Sequence, residues 1–291
     1  MHIVILGCSG LIGHKLYQVL AKRFDQVTGV LHGSLDRFNR FRIFASSSIV
    51  ENVSVEDKDS VFSILNHLQP DVVLNCAGIT RRRPEIDTPI KAIAVNALFP
   101  HLLAEWAGDS GARVIHFSTD CVFDGSVGNY QESSEVSPED AYGRTKALGE
   151  IRYDHTLTIR SSFIGQELDT HSELLAWFLQ QSGKQIGGFT HAMYSGVSTS
   201  ELSRVVGDII EKFPDLSGLY NLSIEEPISK YDLLCLARDA YSIDVEINKD
   251  SSLVTNPTLD GSKLRKAINL KLPDWEEMMC YLASQKGFYQ R

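Results

Sequence analysis

The sequence predicts an α/β fold, a doubly wound parallel sheet followed by a smaller C-terminal α/β domain. Three observations carry this. Short β-branched apolar runs alternate with amphipathic helical patterns through the first half of the chain. A glycine-rich turn joins the first run to the first helix. After about residue 161 the alternation breaks into longer helical stretches. Strands joined by helical crossovers must run parallel, with helices on both faces of the sheet.

The elements follow in order. "HIVIL" at 2–6 predicts the first strand and Leu11–Arg23 the helix after it, and "QVTGVL" at 26–31 predicts the second strand. Val61–Leu68 reads as a helix leading to the strand "DVVLNCAG" at 71–78, and Ile90–Ala107 as a helix leading to "ARVIHFS" at 112–118. A helix from Tyr142 leads to "LTIRSS" at 157–162. Helical stretches are then expected at Ser172–Gln181, Thr199–Lys212 and Lys230–Ala240, with a glycine-rich turn at "SGKQIGG" and a late "KLPDWEEMM". Residues 1–160 are expected to form the first domain, with a segment at about 192–223 returning to it. Residues 161–291 are expected to form the second, set over the C-terminal edge of the sheet, where ligands of such folds bind.

With 291 residues the chain can bury a large core without covalent staples. Its 28 basic and 37 acidic residues give a net charge of −9, which argues against nucleic acid or an anionic membrane as partner. Cys8, Cys76, Cys121, Cys235 and Cys280 are odd in number and include no CxxC, so neither a disulfide framework nor a zinc site is expected. No His, Cys and carboxylate cluster has metal-ligand spacing, and no metal is expected. The apolar run before Cys8 is too short for a secretory leader, and no run approaches the ~18 apolar residues of a membrane span. A cytoplasmic location is the expectation.

"GCSGLIG" is a GxxGxxG in strand–turn–helix context. Gly7 permits the tight turn, Gly10 the approach of backbone N–H groups to a pyrophosphate, and Gly13 close helix packing. This turn, with Ser9, Leu11 and Ile12, predicts a Rossmann dinucleotide site, and Ala77 and Gly78 after the "LN" strand are expected to flank it. Tyr142 and Lys146 in "YGRTKALGE" share one face if the segment is helical. An ammonium beside a phenol is expected to bring its pKa from about 10 towards neutrality. Tyr142 can then donate a proton to a carbonyl oxygen as hydride arrives. Thr119, at the end of the strand "ARVIHF", stands where catalytic groups of doubly wound sheets collect.

These residues carry a family resemblance. GxxGxxG, "NCAG" at Asn75–Gly78, "STDCVFDG" at Ser118–Gly125, YxxxK, "TIRSSFIG" at Thr158–Gly165 and "LDGSKLRKAINLKLPDW" at Leu259–Trp275 stand in the order seen in extended short-chain dehydrogenases. Within these, nearly the whole chain most resembles the dTDP-4-dehydrorhamnose reductase branch. The resemblance implies a nicotinamide cofactor, a nucleotide-linked 4-keto-6-deoxy sugar as substrate, and Thr119, Tyr142 and Lys146 as the catalytic trio. Lys146 is then expected to touch the nicotinamide ribose, and Thr119 to orient the sugar's C4 oxygen. Cys121, Phe123 and Arg160 are the expected substrate neighbours, and Arg81 in "TRRRP" offers a guanidinium fork to the diphosphate.

One position departs from that branch, which usually carries Tyr where this chain has Cys121. Related GDP-fucose synthases keep a cysteine there that shuttles protons during epimerisation, so an epimerase-reductase is an alternative to a simple reductase. A second is a non-catalytic role, because the regulatory beta subunit of methionine adenosyltransferase shares the fold family. A homodimer is compatible with the resemblance. For the cofactor, NADPH is expected over NADH. The second strand ends Leu31-His32-Gly33 without the acid that holds an adenosine ribose, and His32 and Arg37 are the expected contacts to a 2′-phosphate.

Overall fold

A computed structural model describes residues 1–170 and 172–289. In chain order the strands of the first half are β1 (His2–Leu6), β2 (Gln26–Val30), β3 (Ile49–Val50), β4 (Val72–Asn75), β5 (Arg113–Ser118) and β6 (Thr156–Arg160). The helices between them are α1 (Gly13–Leu20), α2 (Lys58–Leu68), α3 (Pro89–Ala92), α4 (Phe99–Ser110) and α5 (Ala141–Leu148). Beyond these come β7 (Phe163–Ile164), α6 (Leu174–Phe178), β8 (Gln185–Tyr194), β9 (Val197–Ser198), α7 (Thr199–Lys212), β10 (Gly218–Asn221) and β11 (Ile228–Ser229). The chain closes with α8 (Lys230–Tyr241), β12 (Glu246–Thr255), α9 (Ser262–Ile268), α10 (Trp275–Ser284) and α11 (Lys286–Tyr289).

Seven strands form one sheet in the order β10-β6-β5-β4-β1-β2-β3, with every pairing parallel. All five residues of β1 are buried because alternate side chains feed two cores. Ile3 and Ile5 pack with Leu16, Leu20, Val205 and Ile209 on one face. Val4 and Leu6 pack with Leu65, Phe99 and Leu103 on the other. The strand order reverses direction between β1 and β4, so the loops after these two strands diverge and open a crevice at their C-terminal ends.

Helix α7 packs against α1, where Arg23 and Asp208 form an ion pair at 2.9 Å, and β10 extends the sheet beside β6. A second sheet, β11-β8-β12, lies outside the first, and α8 packs on it. The helix expected over Ile90–Ala107 is instead α3, a π-helical segment Ile93–Leu98 and α4. The Asn96 side chain within the π segment bonds both the N–H of Ile79 (2.8 Å) and its carbonyl (2.9 Å), tying the segment to the loop after β4. Inserted turns of this kind widen a helix locally to aim a side chain. Among the described residues no helix is long and apolar enough to cross a membrane.

Candidate active site

The glycine turn stands at the crevice. Gly7 adopts φ +72, and a Cβ there would come within 2.8 Å of the Ala77 nitrogen, so the β1 turn and the β4 loop can touch only at glycine. Gly13 meets the Gly7 carbonyl in the same way, its Cβ position lying 2.3 Å away. Helix α1 begins at Ile12 without a side-chain cap, and Ser9, Gly10, Leu11 and Ile12 keep solvent access. An uncapped helix start with an open glycine turn leaves backbone donors and the positive end of the dipole for an anion, which fits a dinucleotide pyrophosphate. Ala77, whose N–H reaches Asn75 Oδ1 at 3.3 Å, is partly open, and Gly78 is exposed beside it.

Thr119 follows β5 and caps the next turn, its Oγ1 accepting from the Cys121 N–H at 3.2 Å. Its hydroxyl lies 3.1 Å from Asp120 Oδ1. Asp120 gathers further donors, Cys121 Sγ at 3.6 Å and the Ser162 hydroxyl. Helix α5 is started by Asp140, which accepts the Gly143 N–H at 2.7 Å. Its distance from the turn is set by Gly143, where a Cβ would sit 2.1 Å from the Cys121 carbonyl oxygen. The helix thus presses onto the Thr119 turn and brings Tyr142 to it.

Burial pushes the Tyr142 phenol well above its ordinary value, with Cys121, Asp120 and Glu173 acting the same way and a Thr119 hydrogen bond opposing them. This corrects the expected shift towards neutrality. Lys146 is buried, donating from Nζ to the Phe117 carbonyl at 2.5 Å and facing His116 Nε2 at 3.3 Å. Burial lowers Lys146 from 10.5 to about 8, partly offset by Glu150 and Cys76. His116 is fully buried, and its Nδ1 meets Asn75 Nδ2 at 3.2 Å.

Cys121 is also held protonated, pushed up to about 12 by burial and then by Asp120. Arg81 pairs through Nε with Asp140 Oδ2 at 2.6 Å, linking the β4 loop to the start of α5. Arg160 and Phe123, the expected substrate neighbours, lie buried beside one another. Arg160 is 0% exposed and donates from Nε and Nη2 to Glu150 at 2.6 and 2.7 Å, with its guanidinium 5.1 Å from the Phe123 ring centre. Phe123 stacks on Tyr130 at 4.1 Å in a small core with Val122 and Leu259. At the other end of the crevice His32 is exposed and Arg37 lies over Gly33 while ion-paired to Asp169.

Three residues of the second half act on this centre and were missed in the sequence. Glu173, before α6, pairs with Arg82 at 3.7 Å and bears on Tyr142. Tyr194, at the end of β8, and Lys230, opening α8, both interact electrostatically with Asp120 and Cys121. No local pattern marks them, since they reach the site only through the packing of the second sheet.

The chain matches the family described as RmlD substrate binding domain over residues 1–285. It is 25% identical over 304 residues to the dTDP-4-dehydrorhamnose reductase of Aggregatibacter actinomycetemcomitans, covering 95% of this chain and 96% of that one. It is 27% identical over 284 residues to methionine adenosyltransferase 2 subunit beta of Xenopus tropicalis, covering 90% of this chain and 81% of the relative. In fold it is similar to the crystal structure of dTDP-4-dehydrorhamnose reductase from Bacillus anthracis in complex with NADP, with TM-score 0.80, 17% identity and 98% and 99% of the two chains covered.

Proposed function

Because the chain belongs to the RmlD substrate-binding domain family, we propose that it reduces the 4-keto group of a nucleotide-activated 4-keto-6-deoxyhexose, with NADPH preferred to NADH, as a step in making surface-polysaccharide precursors in the cytoplasm. The family makes it an NAD(P)-dependent oxidoreductase of the short-chain dehydrogenase/reductase type. The observation that carries the reaction is the packing of α5 onto the β5 turn, which sets Tyr142 against Thr119 at the mouth of the crevice. Residues 1–160 with about 192–223 are read as the dinucleotide unit, and the remainder of 161–291 as the substrate unit.

A bound nicotinamide dinucleotide supplies the hydride. Ser9, Gly10, Leu11, Ile12, Ala77 and Gly78 would hold it, and Lys146 would touch its nicotinamide ribose. Burial keeps Tyr142 protonated at neutral pH, so it holds the proton that the sugar's C4 oxygen takes up, while a pKa raised this far opposes release and has to be brought down by a nearby cation such as Lys146. Thr119 orients that oxygen. Arg81, Arg82 and Lys230 supply cations on the side where a diphosphate would lie.

The epimerising alternative asks Cys121 to take a proton, and a thiol held at about 12 is a poor base. The non-catalytic alternative draws on the likeness to the methionine adenosyltransferase beta subunit. Titration with UDP, dTDP and GDP, followed by turnover with the corresponding 4-keto-6-deoxy sugar nucleotides, tests the reading. NADPH consumed with one of them supports it, and NADPH bound but never consumed favours the non-catalytic alternative.

A further inference from the structure

A buried cluster outside the reacting centre stands directly behind the glycine turn. His14 on α1 is fully buried, with Nδ1 2.8 Å from the Gly10 carbonyl oxygen and Nε2 2.8 Å from the Tyr289 hydroxyl. A carbonyl only accepts, so Nδ1 carries the ring's proton, and Nε2 is left to accept from the Tyr289 O–H. Burial lowers His14 to about 3, so the ring stays neutral and this arrangement holds across the working pH range. The donors therefore run one way, from Tyr289 through His14 to Gly10.

A second contact clamps the same elements. Lys15 is 1% exposed and donates from Nζ to Gln18 Oε1 at 2.5 Å and Gln285 Oε1 at 2.7 Å. Its ammonium also lies 5.3 Å from the centre of the Tyr289 ring. The α10–α11 end of the chain is thus fastened to the first turn of α1 by two polar links on adjacent residues.

We propose that Tyr289 and His14 are positioning residues for the dinucleotide: the C-terminal turn holds the Gly10 carbonyl, and with it the Gly7–Gly13 loop, in its cofactor-binding conformation. The inference rests on the reading that the crevice binds a nicotinamide dinucleotide. Removing the Tyr289 hydroxyl leaves a buried acceptor unpaired and frees the imidazole to turn from Gly10. A loop that spends less time in the competent conformation binds with an apparent Kd raised by the inverse of that fraction. Chemistry in the loaded enzyme is untouched, because neither residue reaches the reacting atoms.

The test compares parent, Tyr289→Phe, His14→Leu and the double variant by titration with NADPH, by amide exchange of residues 10–13 without cofactor, and by kcat at saturating NADPH. Tyr289→Phe is expected to weaken NADPH about fivefold, or about 1 kcal/mol, to speed exchange in the loop, and to leave saturated kcat within about twofold. His14→Leu should weaken it at least as much, and the double variant no further, since the hydroxyl acts only through the ring. Affinity and loop exchange unchanged in Tyr289→Phe, or additive losses in the double variant, overturn the inference. A parent that binds neither NADPH nor NADH overturns the underlying cofactor reading instead. Should His14→Leu not fold, Tyr289→Phe decides alone.

Discussion

Lys146 Nζ lies 2.5 Å from the backbone carbonyl oxygen of Phe117, two residues before Thr119. Helix α5 is therefore pinned to the last turn of β5 by a buried cation, and the register between Tyr142 and Thr119 depends on that pin.

The pin has a pH signature. Burial brings Lys146 down to about 8, so the cation is present below that pH and lost above it. If the ammonium holds the ribose and the register, kcat/KM falls as pH rises through about 8. Lys146→Arg, charged throughout, should lose that limb while being slower overall. Stability runs the other way. Between about 8 and the ordinary 10.5 the unfolded chain binds the extra proton, so the parent should gain stability relative to Lys146→Met as pH rises across that window. Paired pH profiles and urea titrations check both signs.

Tyr142→Phe removes the hydroxyl proposed as the proton donor and little else. Turnover should fall by about 10²–10⁴-fold, the usual worth of general acid catalysis, while NADPH affinity measured by titration stays near that of the parent. Equal losses in both would make the phenol a packing group.

For Cys121→Ala, ketone reduction should persist within about tenfold, since a protonated, partly buried thiol contributes packing only. Product formed in deuterated water should carry no deuterium at the carbons beside C4. Deuterium there, lost in the variant, would establish the epimerising role.

Glu150→Ala should destabilise the fold by about 3–5 kcal/mol, because it strands the Arg160 guanidinium in the core under Phe123. Glu150→Met with Arg160→Met together should cost less than Glu150→Ala alone. Chemical denaturation of the three proteins gives the comparison.

Arg37 is tied to Asp169, so a 2′-phosphate must compete with a carboxylate for it. Arg37→Ala should reduce an NADPH preference of about tenfold, or roughly 1.4 kcal/mol, towards parity, and Asp169→Asn should strengthen it. The ratio of kcat/KM for the two cofactors reads both.

The parallel sheet and the glycine turn were legible because their signals are local: β-branched runs of strand length, and glycines at a fixed spacing beside them. The second sheet was not. Strand β8 carries Gly187 and Gly188 within its span, and β12 is largely polar and exposed, so neither shows the alternation that marks a strand. Tyr142, Lys146 and Thr119 could be placed near one another by fold class. Their electrostatics could not, because the Tyr142 and Lys146 shifts come from burial and from charged neighbours that only the fold brings close, such as Asp120 and Glu173 for Tyr142 and Glu150 for Lys146. Arg160 shows the same limit: nothing local in the sequence says that Glu150, ten residues before it, pairs with its guanidinium.

The central claim is that this site moves a hydride to a sugar ketone with Tyr142 as acid. The most direct measurement supplies NADPH deuterated at nicotinamide C4 together with 4-keto-6-deoxyhexose nucleotides and locates the label by mass spectrometry and NMR. The account predicts one deuterium on sugar C4, formed by the parent and slowed by about 10²-fold or more in Tyr142→Phe. Cofactor bound tightly, with no deuterium transferred to any UDP-, dTDP- or GDP-linked 4-keto sugar, would contradict it.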